Sequence, residues 1–290
     1  MDAILEARDV TKRYEDFTLG AVSLDVPRGS IVGIFGPNGA GKTTLVKVLA
    51  HQVPWQRGSV RVFGLRYEDR EPEIKNRLGY VAQEPPFYDD RTVRWTARFA
   101  APYFARWDGP AFHRLLEEFS INPLKKVKQL SGGQKKLLAL AIALSHGAEV
   151  LILDEPAAGL DVVHRRALLE RLRAFVANGE RSVVVASHVT DGLDQVTDDV
   201  CILRDGRIAL HEERDALLAK WKRVHFRDGA LAASTVALLS HVQRQPFAVS
   251  ALTGDFPALR DSLAQAMASG DAKVENATLE DVFVSLVKGA

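Results

Sequence analysis

Gly36-Pro37-Asn38-Gly39-Ala40-Gly41-Lys42-Thr43-Thr44 satisfies the pattern G-x-x-x-x-G-K-[ST] and lies between an apolar run at residues 30–35 and a helix-like stretch at 43–49. A strand that enters a glycine turn and leaves as a helix has the make-up of a phosphate-binding loop. The glycines let successive backbone N–H groups curl round phosphate oxygens, and the helix turns its positive end toward the anion. In that arrangement Lys42 reaches the outer phosphates as a point charge, and Thr43 offers its hydroxyl to Mg²⁺. Such a loop belongs to an α/β fold with a mostly parallel sheet, whose ligands bind beyond the carboxyl ends of the strands.

Two further stretches point the same way. Glu149-Val150-Leu151-Ile152-Leu153-Asp154-Glu155-Pro156 is an apolar run ending in two acids, as expected of a buried strand that delivers carboxylates to the sheet edge. Asp154 is placed to hold Mg²⁺ through water, and Glu155 to polarise an attacking water as general base. Leu130-Ser131-Gly132-Gly133-Gln134 opens a stretch, 135–145, whose Leu, Ala and Ile content favours a helix. Ser131 is then the N-cap. Its hydroxyl and the N–H groups of Gly132 and Gly133 form an outward-facing anion site reinforced by the helix dipole.

In order and spacing these motifs resemble those of the ATP-binding cassette (ABC) ATPases: the Walker A loop, the Leu-Ser-Gly-Gly-Gln signature and the Walker B strand. The resemblance covers roughly the first 210 residues. It implies a P-loop cassette with a mostly parallel core sheet, an antiparallel β subdomain and a helical subdomain, and it implies ATP and Mg²⁺ as cofactors. It carries four smaller assignments. Tyr14 corresponds to the aromatic residue that stacks on adenine, and Gln83 to the glutamine that senses Mg²⁺ and links the core to the helical subdomain. Gly159-Leu160-Asp161 resembles the loop that crosses the dimer interface. His188 resembles the histidine that contacts the γ-phosphate. Departures fall at Ala157, Ala158 and Val162, beside the interface loop, where the family commonly has Thr, a small polar residue and Pro. The resemblance also implies head-to-tail pairing, in which Ser131, Gly132, Gly133 and Gln134 of one subunit close on the ATP held by Lys42 of the other.

Composition bounds the rest. The 290 residues suffice for one large domain and a small one, and 47% of them are apolar, enough for a core. A formal net charge of +1 argues against a broad nucleic-acid surface, which needs clustered Lys and Arg. The single cysteine, Cys201, excludes an internal disulfide and reads as a buried structural thiol. No signal peptide is apparent, and no apolar run approaches the ~20 residues that span a bilayer, so a membrane pathway has to come from another chain.

The expected organisation is a nucleotide-binding domain over residues 1–212, with its helical subdomain at about 87–147, and a small α+β appendage over 213–290. Segments 4–10, 18–26 and 59–63 read as the antiparallel strands, and Arg204-Asp205-Gly206-Arg207 as a hairpin turn. The aromatics Phe99, Tyr103, Phe104 and Trp107 read either as core or as a surface for the short cytoplasmic helix of a transmembrane partner. In the tail, 223–227, 247–252 and 272–275 are strand-like and 230–239 and 257–267 helical. A terminal segment, 277–284, is similar to that of bacterial drug, antibiotic and lipid exporter ATPases, and it also reads as a helix with Leu279, Val282, Phe283 and Leu286 on one face. The expected protein is therefore the ATPase subunit of an exporter-type ABC transporter. Its partners are a second ATPase subunit and separate permease chains at the cytoplasmic face of the bacterial inner membrane. An ABC ATPase serving a membrane sensor or a non-transport process is the alternative; the DNA branch of that class needs a long coiled-coil insertion, and the translation branch usually carries two cassettes.

Overall fold

Parallel strands covered on both faces read as unbroken apolar runs, and 31–35, 150–154 and 182–187 are buried at every residue. In the computed structural model, which describes residues 2–188, 192–245 and 248–288, the chain runs β1 (Ala3–Arg13), β2 (Thr18–Pro27), β3 (Ile31–Phe35), α1 (Lys42–Leu49), β4 (Arg57–Val62), β5 (Leu65–Arg66), α2 (Tyr67–Arg77), β6 (Leu78–Val81), α3 (Val93–Ala100), α4 (Gly109–Glu118), α5 (Gly132–Ser145), β7 (Val150–Asp154), α6 (Val162–Val176), β8 (Ser182–Ser187), β9 (Asp199–Arg204) and β10 (Arg207–Glu213). These strands form a six-stranded sheet, β10-β9-β3-β8-β7-β6, and a four-stranded sheet, β2-β1-β4-β5. The pairings β3–β8, β3–β9, β6–β7 and β7–β8 are parallel, whereas those of β1 with β2 and β4 are antiparallel.

Side-chain alternation along the parallel strands divides the core in two. Val32, Ile34, Ile152, Val184 and Ala186 face α1 and the antiparallel sheet, packing with Ile4, Leu5, Val22, Leu45 and Leu49. Their neighbours Ile31, Leu151, Leu153, Val183 and Val185 face the other way, toward Leu137 and Ala141 of α5, Leu168 and Leu172 of α6, and Phe112 and Leu116 of α4. Cys201 lies in the first of these layers, wholly buried, and burial pushes its thiol up to about 12.

Register places the functional ends together. Phe35 pairs with Ser187 and Asp154 with Ala186, so β3, β7 and β8 end at one level of the sheet. The chain leaves those ends as the glycine loop, Glu155 and His188. Strand β3 also lies between β8 and β9, so connections diverge on either side of it and leave the crevice where ligands of open α/β sheets bind.

His146 ends α5 as its C-cap, 2% exposed, and stacks on Phe104 with ring centroids 4.0 Å apart. Burial pushes its imidazole down from 6.5 to about 4. The folded chain therefore holds this ring neutral, while the unfolded chain protonates it below 6.5. Stability from this group is complete above pH 6.5 and is lost as pH falls toward 4, by about 3 kcal/mol at 1.36 kcal/mol per unit. Measured as unfolding free energy against pH, His146→Leu is expected to flatten the decline between pH 6.5 and 4 by about that amount. Parallel curves for the two proteins would reject the assignment.

Contacts divide the chain after His211, and the second unit, from Glu212, has its own core. It comprises α7 (Arg214–Lys220), β11 (Lys222–Phe226), α8 (Ala233–Val236), β12 (Ser240–Arg244), β13 (Val249–Thr253), α9 (Phe256–Ala268), β14 (Ala272–Asn276) and α10 (Leu279–Lys288). The sheet order β12-β13-β11-β14, with antiparallel neighbours, is a split β-α-β arrangement of the ferredoxin-like kind. Val224, Phe226, Val249 and Ala251 pack there against Leu259 and Leu263 of α9. Two expectations change. The helix expected over 230–239 contracts to α8, and β12 follows it unannounced. Most of β12 is exposed, without apolar alternation, so only its backbone pairing to β13 makes it a strand. The strand expected over 247–252 is β13, with Phe247 outside the described residues. On α10, Leu279 and Val282 are buried, and Phe283 and Leu286 are half-buried.

Candidate functional site

The loop from Gly36 to Gly41 joins β3 to α1 and requires glycine at its last position. Gly41 has φ 102°, and a Cβ there would come within 2.6 Å of the Phe17 ring. The backbone thus enters α1 directly, with Leu45 N donating to Gly41 O at 2.8 Å. Lys42, 6% exposed, turns back over the loop. Its Nζ donates to Gly36 O at 2.8 Å and Pro37 O at 3.3 Å and lies 3.6 Å from Glu155 Oε1. A cavity of about 510 Å³ is lined here by Phe17, Pro37, Asn38, Gly39, Gly41, Lys42, Thr43, Thr44, Gln83, Glu155 and His188. Ala40 is buried under the loop, where its carbonyl accepts from Gly206 N at 3.0 Å.

Below the loop stand the two acids. Thr43 Oγ1 donates to Asp154 Oδ1 at 3.1 Å, while Asp154 Oδ2, wholly buried, has no hydrogen-bond partner in the protein. Burial raises the Asp154 carboxyl above the usual carboxylate range, against the Thr43 hydroxyl, and the charge of Glu155 adds to the rise. The nearby Tyr80 phenol, also unpartnered, is raised to about 12, first by burial and then by the negative charge of Asp154. Glu155 leaves the strand with φ 47°, and its N–H donates to Ala186 O at 2.8 Å. Its Oε2 lies 3.0 Å from His188 Nδ1, whose opposite nitrogen, Nε2, is 2.9 Å from Asn38 Oδ1. Asn38, His188, Glu155 and Lys42 thus form one chain of contacts around the cavity. An ammonium and a buried carboxylate that face the same space can bind phosphate and accept a proton from water.

The second glycine motif lies elsewhere. Ser131 caps α5, its Oγ accepting from Gln134 N at 3.1 Å, and Gln134 Oε1 accepts from Ser131 N at the same distance. Ser131, Gly132 and Gly133 line a separate cavity of about 780 Å³ with Glu84, Phe87, Lys136, Ala158 and Gly159. Gln83 lines both cavities. One chain therefore does not bring Ser131 beside Lys42. Asp161 is exposed and caps α6; the backbone N–H of His164 at 2.9 Å, and then its ring at 2.7 Å, hold the Asp161 carboxyl below its usual value.

Tyr14 is 47% exposed, with Lys12 Nζ 4.9 Å from its ring centroid. It is not among the residues lining the Lys42 cavity, where the aromatic wall is Phe17, tied to Tyr14 by the bond from Tyr14 N to Phe17 O. Sequence reasoning missed Phe17. The signal was there: an apolar aromatic in the polar turn Glu15-Asp16-Phe17-Thr18 just before a strand. Tyr80 and Lys136 were also missed, for no pattern marks either.

The family model described as ABC transporter matches residues 19–158. Among curated proteins, the Nod factor export ATP-binding protein I of Burkholderia lata is 34% identical over 212 residues, covering 71% of this chain and 69% of its own. The bacitracin transport ATP-binding protein BcrA of Enterococcus faecalis is 27% identical over 252 residues, covering 83% of this chain and 80% of its own. Among solved structures, an ATP-binding subunit of an ABC transporter superposes with TM-score 0.68 at 26% identity, covering 74% of this chain and 92% of that one.

Proposed function

This chain belongs to the ATP-binding subunits of ABC transporters and is an ATPase, and from that premise we propose that two copies clasp ATP head to tail and drive a separate permease, as an exporter. The observation that carries the proposal is the division of the site. Lys42, Thr43, Glu155 and His188 line one cavity, with Asp154 buried behind Thr43, while Ser131, Gly132 and Gly133 line another. A nucleotide on Lys42 is completed by the outward-facing cap of a second copy, and that arrangement is closed and symmetric. ATP then stabilises the closed pair by its differential affinity for it.

Within each site the contacts support the following roles. The loop N–H groups and Lys42 hold the phosphates, and Phe17, in the place expected of Tyr14, supplies the aromatic surface for the base. Glu155 accepts the proton of the attacking water, and His188 orients that carboxylate through Nδ1 while facing the γ-phosphate. Asp154, Thr43 and Gln83 suit Mg²⁺. They are hard oxygen donors, and Asp154 Oδ2 is a buried acceptor without a partner. Among the described residues no group of three or more His, Cys, Asp or Glu could hold a metal by itself, which fits an ion shared with substrate phosphates. When bound, Mg²⁺ neutralises charge on the transferring phosphoryl group.

No helix among the described residues is long and apolar enough to cross a membrane. Attachment at the cytoplasmic face of a bacterial inner membrane then runs through the permease. A groove of about 530 Å³ lined by Val53, Ala82, Pro85, Phe87, Ala139 and Ile142 supports docking of a short apolar helix. Of the four sequence-marked aromatics, Phe104 and Trp107 pack inward, whereas Phe99 and Tyr103 are 44% and 67% exposed; Phe99 lies against Trp95 and Tyr88, and Tyr103 against Phe99. Tagged Glu155→Gln protein, purified from native membranes with ATP, is expected to bring down a polytopic membrane protein. Recovery of soluble partners alone would remove the transporter reading.

A further inference from the structure

Lys136 lies on α5, four residues past the first glycine of the signature, in a run whose next two residues, Leu137 and Leu138, are buried. A lysine there would be expected to snorkel to solvent. Instead it is 8% exposed, and its Nζ donates to two backbone carbonyls, Glu155 O at 2.7 Å and Ala158 O at 2.9 Å. Glu155 sits at φ 47°, a region that residues with a Cβ disfavour, so its geometry has to be held from outside. Glu155 N donates to Ala186 O on the sheet side, Ala158 N closes the turn onto Glu155 O at 3.3 Å, and Lys136 adds the shorter bond to Glu155 O from the helix side. A second contact joins the same pieces one turn earlier. Gly133 lies so close to the interface loop that a Cβ would come within 2.8 Å of both Gly159 O and Leu160 Cδ2.

We propose that Lys136 is a positioning residue for hydrolysis. Its ammonium ties the signature helix to the turn that aims Glu155, so that engagement of Ser131 with the nucleotide of one site sets the catalytic carboxylate of the other. The idea rests on the reading of Glu155 as general base and of the signature as acting in trans. Charge matters as well as reach, because an ammonium gives both carbonyls a charge-assisted bond at once. An apolar side chain of similar length gives neither, so the Ala158 carbonyl loses this donor and the turn is held only by its own longer backbone bonds, Ala158 N to Glu155 O at 3.3 Å and Leu160 N to Ala157 O at 3.1 Å.

The test uses the full chain with MgATP, measuring kcat, KM, the Kd for ATP and the melting temperature of Lys136→Met, Lys136→Gln and the double variant Lys136→Met/Glu155→Gln. A 1 Å misplacement of a catalytic group costs on the order of 100-fold, so Lys136→Met is expected to lose about that much in kcat, with KM and Kd within about twofold. Lys136→Gln, which keeps one donor, falls between it and the parent. Because Lys136 acts through Glu155, the double variant is expected to be no slower than Glu155→Gln alone. A kcat within about twofold of the parent overturns the inference. So does a loss shared equally by kcat, Kd and melting temperature, or a multiplicative loss in the double variant. If Lys136→Met does not fold, Lys136→Gln is judged by the same readings. Full turnover by Glu155→Gln would sink the general-base reading, and this inference with it. An inactive Glu155→Gln beside a normal Lys136→Met would sink this inference alone.

Discussion

Glu155→Gln is expected to bind ATP as the parent does, to lose hydrolysis by about a thousandfold, and to accumulate as an ATP-bridged dimer. General-base catalysis contributes on the order of 10²–10⁴ in rate, and the amide is close in size and shape to the carboxylate but cannot take the proton of water. Its oxygen still accepts from His188 Nδ1, so the contact at 3.0 Å and the wall of the cavity survive. The substitution also removes a negative charge 3.6 Å from Lys42, in the space where the γ-phosphate is read to lie. Binding is therefore maintained or improved while the chemical step stalls. Size-exclusion chromatography with and without ATP, alongside phosphate release, separates these effects. Steady turnover by the variant would take Glu155 out of its assigned role.

Lys42→Ala has the opposite signature: ATP affinity falls by at least about 30-fold, and hydrolysis disappears with it. Truncating one member of a buried, hydrogen-bonded charge pair costs about 2–5 kcal/mol, and among the described residues lining this cavity Lys42 is the one ammonium. The side chain also laces the loop, through Gly36 O and Pro37 O. Alanine therefore loosens the N–H cradle as well as removing its charge. Titration with a fluorescent ATP analogue measures the loss, and a melting temperature near the parent's distinguishes a lost ligand contact from a lost fold. Retained affinity would mean that the phosphates are held elsewhere.

Both variants fall on residues that could be read without coordinates. Strands β3, β7 and β8 were legible because burial on both faces leaves no polar alternation, only Val, Ile and Leu. Asp154 and Glu155 were legible because acids at the end of such a strand have few other reasons to be there. Ser131 was legible as a cap because hydroxyl, glycine and apolar helix follow in order. Phe17, by contrast, stands by the loop only because β2 begins beside it, and Tyr14 looked the better aromatic from its position in the chain. Strand β12 is written in backbone pairing, not in its mostly polar side chains.

From sequence alone the chain was determined to be a nucleotide-binding cassette with its phosphate loop, acids and signature, since each rests on a local pattern: a glycine spacing, a buried apolar run or a capped helix. Tertiary structure decided what those pieces face. It placed Ser131 and Lys42 on different cavities, held Glu155 between Ala186 and Lys136, and buried His146 against Phe104. Glu155 and its two partners, and His146 and Phe104, stand 19 to 42 residues apart along the chain, and no propensity or periodicity reaches so far; only the register of the sheet and the packing of α5 on it bring them together.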